Sequence, residues 1–125
     1  NVSTSEIADV LSMADSVKEV AVVGVKVPPH DGQFGLAVVV PNGELDLVAF
    51  ARAAATLPGY AQPRFIRVVT EMPVTSTHKQ QKAQLRNQGI DLDQVSDPLY
   101  IQEGAGYVPI TREVLEALKS GRRRL

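Results

Sequence analysis

At 125 residues, 44% of them hydrophobic, the chain has the length for one domain around one core. Its formal net charge of -1 supplies no global field that would draw in nucleic acid or an acidic membrane surface. The absence of cysteine excludes disulfides, thiolate chemistry and cysteine-based metal sites, and His30 and His78 are too far apart in sequence to form a metal-ligand spacing. The longest apolar run, residues 20–27, is broken by Gly24 and Lys26. It falls well short of the roughly 20 residues that a membrane-spanning helix needs. With no signal pattern at the N-terminus, the chain reads as cytoplasmic. It opens on Asn1 rather than Met, directly at a helix cap, as a fragment of something longer or a processed product would.

In chain order, Ser3-Thr4-Ser5-Glu6 fits a capping box, with Glu6 as a cap rather than a functional carboxylate. Ile7, Val10, Leu11 and Ala14 then repeat at helical spacing and predict a helix of about ten residues. Residues 17–27 are β-branched and apolar on both alternating sets, the pattern of a strand covered on both faces. Pro28 to Gly32 form a polar loop in which His30 reads as solvated. Residues 34–40 give a second strand, and the short connection predicts antiparallel pairing. A second helix is expected over 44–57, with Leu47, Phe50, Ala51 and Ala54 on one face and Arg52 pointing away; Pro58-Gly59 stops it. Residues 64–69 form a third strand, whose buried set is Phe65 with Val68 or Ile66 with Val69.

A Pro-led polar loop, Pro73 to Lys79, comes next, then a short basic helix over 80–87 with Lys82 and Arg86 four apart, ended by Gly89. Leu99-Tyr100-Ile101 and Tyr107-Val108-Pro109-Ile110 predict a hairpin, and Thr111 caps a last helix carrying Val114, Leu115 and Leu118. The run Arg122-Arg123-Arg124 predicts a solvated, disordered tail. The fold class is α+β: a small, mainly antiparallel sheet of about three strands flanked by helices, with a C-terminal hairpin-plus-helix extension wrapped over it. Residues 1–125 form one domain.

Residue chemistry alone offers little. No Ser/His/Asp order, no paired carboxylates in an apolar setting and no phosphate-binding Gly-rich loop occurs. Lys79 is the leading candidate. At the tip of a structured loop its ammonium could place three donors on a phosphate or carboxylate oxygen and stabilise charge during phosphoryl rearrangement. The other reading, a solvated lysine beside a basic helix, stays open at this level.

Four segments carry a resemblance. Val2-Ser3-Thr4-Ser5-Glu6-Ile7 with Val20-Ala21-Val22-Val23-Gly24-Val25 resembles the start of the small C-terminal domain of adenylate-forming enzymes. Leu57-Pro58-Gly59-Tyr60-Ala61-Gln62-Pro63 resembles that family's Leu-Pro-x-Tyr-x-x-Pro segment, and Pro73-Val74-Thr75 through Lys79 to Leu85-Arg86 resembles its terminal motif. The continuation through Gly89-Ile90-Asp91, Asp97-Pro98-Leu99-Tyr100 and Gly106-Tyr107-Val108-Pro109-Ile110 is similar to the fatty acid transport proteins and very-long-chain acyl-CoA synthetases. His78 stands where most adenylating enzymes have Gly, and is expected to be exposed.

The resemblance implies the mobile C-terminal domain of a fatty-acid–CoA ligase. Its large N-terminal adenylate-binding domain and hinge would be absent from this stretch. ATP and a fatty acid would give acyl-adenylate and pyrophosphate; CoA would then displace AMP. ATP, CoA and Mg2+ would serve the whole enzyme, with no metal site in this piece. Lys79 would be the adenylation lysine, with Lys82 its competitor, and the opposite face near Asn1 and Val2 would meet the thiolation site. The isolated piece is expected to be inactive. No nucleic acid partner is expected; membrane association of the full-length protein is left open and is not indicated by this stretch. The alternative is a stand-alone α+β metabolite-binding or regulatory module without catalysis.

Overall fold

The computed structural model describes residues 2–125, so the Asn1 candidate lies outside the described residues. Helix α1, Thr4–Leu11, starts where the capping box predicts. The Ser3 hydroxyl accepts from the Glu6 amide at 3.1 Å, and the Glu6 carboxylate accepts in return from the Ser3 amide and hydroxyl. The helix buries Ile7 and Leu11 and ends there, so Ala14 falls outside it. Strand β1, Val17–Val25, pairs antiparallel with β2, Phe34–Pro41. Helix α2 is Leu47–Ala55. It begins three residues later than the sequence suggests, because Asp46 leaves the helix to accept from the Ala49 amide at 3.0 Å. The helix carries the chain across the sheet, so β3, Phe65–Val68, runs parallel to β2.

The C-terminal segment is not a wrap. Strand β4, Leu99–Glu103, pairs antiparallel with β3, and β5, Gly106–Pro109, pairs antiparallel with β4. The sheet therefore has five strands in the order β1-β2-β3-β4-β5, where about three were expected. Without β4, the unpaired edge of β3 would face solvent with its flanks apolar, and the hairpin closes it. The α+β class and the mainly antiparallel pairing stand. Two further helices complete the fold: α3, His78–Gln88, and α4, Arg112–Lys119, capped by Thr111.

Both faces of the sheet are covered. Helices α1 and α2 bury Ile7, Leu11, Phe50 and Ala54 against Val22, Ala37, Val39 and Ile66. On the other face, Leu85 of α3 and Leu115 and Leu118 of α4 pack on Val23, Leu36, Val38, Phe65 and Ile101. Neither pairing read for β3 holds: strand alternation puts Phe65 in one core with Val69 and Ile66 in the other with Val68, and Phe65 and Ile66 are both wholly buried. The double cover also places Arg67 inside, the one charged residue buried among the described residues.

Two loop expectations change. His30 is half-buried; its Nε2 donates to the Leu118 carbonyl at 2.9 Å and its ring meets Phe34 edge-on. The arginine tail is ordered along part of its length. Gly121, at φ 79, turns the chain back. The Arg123 amide then bonds the Ala117 carbonyl and its guanidinium reaches Glu103 at 3.3 Å, while Leu125 packs against the core. Arg122 and Arg124 remain exposed as expected.

Tyr107 ties the hairpin to the connector before β3. Its ring packs edge-on to Phe50 and its hydroxyl donates to the Pro63 carbonyl at 2.7 Å. Burial pushes the phenol well above its ordinary value of 10.0. The folded state therefore holds this proton more tightly than the unfolded state. The resulting stability is complete below pH 10.0 and is lost as pH rises above it. Tyr107→Phe should cost about 1–2 kcal/mol near neutral pH. It should also flatten the alkaline fall in stability, read from urea midpoints on either side of pH 10.0.

Candidate active site

The segment leading to Lys79 is built from short-range hydrogen bonds. Gln81 Nε2 holds the Pro73 carbonyl at 3.3 Å, and the Thr75 hydroxyl donates to the Thr77 carbonyl at 2.8 Å. Thr77 is extended, at φ -140 and ψ 156, and its hydroxyl accepts from the Gln80 amide at 3.1 Å. That is an N-cap, so α3 begins at His78, and Lys79 lies in the first helical turn rather than at a loop tip. The sequence carried the signal: Thr77 is followed three residues later by Gln80, the spacing of a capping box. Only half of the box forms, because the Gln80 side chain accepts from the Ser76 hydroxyl instead.

Lys79 is exposed, and among the described residues no hydrogen bond or ion pair engages its ammonium. Lys82, on the same helix face one turn on, differs. It is half-buried, and its Nζ donates to the Thr4 hydroxyl at 3.1 Å. The first turn of α3 holds no acidic residue, whereas α1 and α4 carry Glu6 and Glu113 there. The amides of His78 and Lys79 have no intrahelical acceptor, and the helix end carries partial positive charge. Lys79, those two amides and an exposed His78 together make a place suited to an anionic oxygen.

Val2 packs on the side of the sheet covered by α1 and α2. Helix α3 covers the other side, and the Lys82–Thr4 bond joins the two around the β1 edge. Among the described residues no group of three or more histidines or carboxylates is arranged to hold a metal ion.

One buried charge, at the far end of the lysine helix, escaped sequence reasoning. Arg67 sends Nε and Nη2 to Asp97 Oδ2 at 2.9 and 2.8 Å, and Nη1 to Gln88 Oε1 at 2.6 Å. An arginine inside an apolar strand must find such partners or pay a heavy desolvation cost. That was the available signal, but nothing in the sequence says which acid answers it.

Comparison with known proteins gives the family of the chain. The profile of the AMP-binding enzyme C-terminal domain family matches residues 6–79, a span that ends on Lys79. The match covers more than half of the chain, and the chain belongs to that family. Human long-chain fatty acid transport protein 3 is 41% identical over 130 residues, covering 100% of this chain and 19% of that protein. A medium/long-chain-fatty-acid–CoA ligase of Mycobacterium tuberculosis is 40% identical over 128 residues, covering 98% and 21%. The chain thus spans about a fifth of the length of the curated relatives it matches. A fatty acyl CoA synthetase structure from Mycobacterium tuberculosis aligns over 70% of this chain and 18% of its own, with a TM-score of 0.57 at 24% identity. Coronafacic acid ligase from Pectobacterium brasiliense aligns over 81% of this chain and 20% of its own, at 0.58 and 21%. These two share the fold.

The cap makes a direct prediction. Thr77→Ala should cost about 1 kcal/mol of helix stability. It should raise hydrogen exchange at the Gln80 amide while leaving the β2 amides protected.

Proposed function

We propose that this chain is the C-terminal domain of a fatty-acid–CoA ligase and delivers Lys79 to the adenylation step. The observation that carries the reading is a family match ending on a lysine that is exposed and uncommitted, while its neighbour Lys82 is already bonded.

In the first half-reaction a fatty carboxylate oxygen bonds to the α-phosphorus of ATP and the bond to pyrophosphate breaks. Lys79 would reach carboxylate and phosphate oxygens together, holding the nucleophile in place and offsetting the charge that gathers on the phosphoryl oxygens. The positive end of α3 adds to the same field. In the second half-reaction the CoA sulfur bonds to the acyl carbon and AMP leaves. Rotation of the domain would withdraw Lys79 and present another face, that of Val2, to the thiolation site. ATP, its Mg2+ and the acyl chain would be held by a large domain outside this chain, which is the domain's partner.

Among the described residues no helix is long and apolar enough to cross a membrane. Nothing found favours the stand-alone metabolite-binding module.

The test is to separate the half-reactions in the full-length protein. Lys79→Ala should lower fatty-acid-dependent pyrophosphate exchange by about a hundredfold or more. Thiolation from supplied acyl-adenylate should survive. Lys82→Ala should leave adenylation within a few-fold of wild type. Equal rates in Lys79→Ala and wild type would refute the assignment. The 125-residue chain alone should show no ATP- and fatty-acid-dependent turnover.

A further inference from the structure

Helix α3 carries the proposed lysine, yet among the described residues it buries the fewest side chains of the four α-helices. Leu85 is its one buried residue, where each of the other three α-helices buries two. With one apolar knob on the helix itself and Ile90 buried just past its Gly89 cap, burial restrains the helix axis only weakly toward its N-terminal end. Side-chain hydrogen bonds therefore weigh heavily in setting its direction. Near the N-terminal end these are Gln81 to the Pro73 carbonyl at 3.3 Å and Lys82 to Thr4 at 3.1 Å, both with partners in or near exposed segments. At the C-terminal end the bond is of a different quality. Gln88 Oε1 accepts from Arg67 Nη1 at 2.6 Å, and that guanidinium is buried in the sheet and fixed by two further contacts to Asp97. A charge-assisted bond from a rigid, forked donor is the strongest directional restraint the helix has.

We propose that Arg67, acting through Gln88, is a positioning residue for Lys79; the inference rests on the reading of Lys79 given above. Lys79 lies six residues from the Leu85 pivot, about 9 Å along the axis. A tilt of about 6° would then carry its backbone by about 1 Å, a displacement able to cost on the order of a hundredfold in rate. Asp97 lies beyond residues 6–79, the span that the family profile matches. The C-terminal segment thus acts on the lysine helix through Arg67.

Gln88→Leu removes the acceptor and leaves the Arg67–Asp97 pair intact; Gln88→Glu keeps an acceptor oxygen. In the full-length protein, Gln88→Leu should lower pyrophosphate exchange by about tenfold. Thiolation from supplied acyl-adenylate should be unchanged, and hydrogen exchange at the Gln80 and Gln81 amides should rise. Gln88→Glu should restore all three readings. Arg67→Lys, which loses the fork, should reproduce the split between the half-reactions should Gln88→Leu fail to fold. Equal losses in both half-reactions, or no loss in either while Lys79→Ala abolishes adenylation, would overturn this inference alone. A silent Lys79→Ala would overturn the reading beneath it.

Discussion

The constraint on which everything else depends is that the sheet is buried on both faces. In β2, Leu36, Ala37, Val38 and Val39 are successive residues with no exposed surface, so neither face can carry a polar side chain without a partner. Helices must lie on both sides, and the two cores that result are assembled from alternating residues of the same strands. At about 1.5–3 kcal/mol for each large apolar side chain removed from water, this burial is the main stabilising term. It also sets the rule that Arg67 has to satisfy. A guanidinium at the centre of such a sheet is tolerable only when its donors are met, and Asp97 and Gln88 meet them. No buried side-chain polar atom among the described residues lacks a partner.

Against that rigid body, α3 is an outlier. Its surface is polar nearly all round, and little burial is at stake when its orientation changes. A helix held this way can be set by a few hydrogen bonds, each worth about 1 kcal/mol, without endangering the fold. This suits a segment that presents a charge to another surface. The two core layers provide an unmoving base, and the lysine rides on an element whose placement is decided by polar contacts at its ends.

How legible this was depended on the kind of signal each feature left. The capping box at Ser3, the antiparallel pair β1 and β2, the stop at Gly89 and the cap at Thr111 are local, and they stand where the sequence places them, with β1 ending two residues early at Val25. What the sequence hid is non-local. Nothing in Leu99-Tyr100-Ile101 says that it will pair with β3 rather than lie across the sheet, because a hairpin's own residues do not encode its neighbour. Nothing around Arg67 points thirty residues on to Asp97. His30 reads as a loop histidine until the fold brings the end of α4 beneath it. The Arg123 part of the tail was hidden for the same reason: Glu103, which holds Arg123, becomes adjacent only when β4 and α4 are in place. Lys79 is proposed on resemblance, and its helical surroundings were not legible in the sequence.

The start of α3 shows how a small local competition bears on the proposed chemistry. Residues 73–79 read as a loop because Pro73 and a run of polar residues precede any apolar periodicity. Thr77 instead captures the Gln80 amide, and the backbone enters the helix two residues before Gln80. A lysine at a loop tip would spend conformational entropy on every approach to a substrate. In a capped first turn its backbone is already fixed, and only the side chain remains to be ordered. The position is unfavourable for the lysine in isolation, since a cation there faces the positive end of the helix dipole. The arrangement becomes favourable when an anion joins both. The exposed Lys79 ammonium and the amides of His78 and Lys79 would then complement one negative group, as the proposed adenylation role requires.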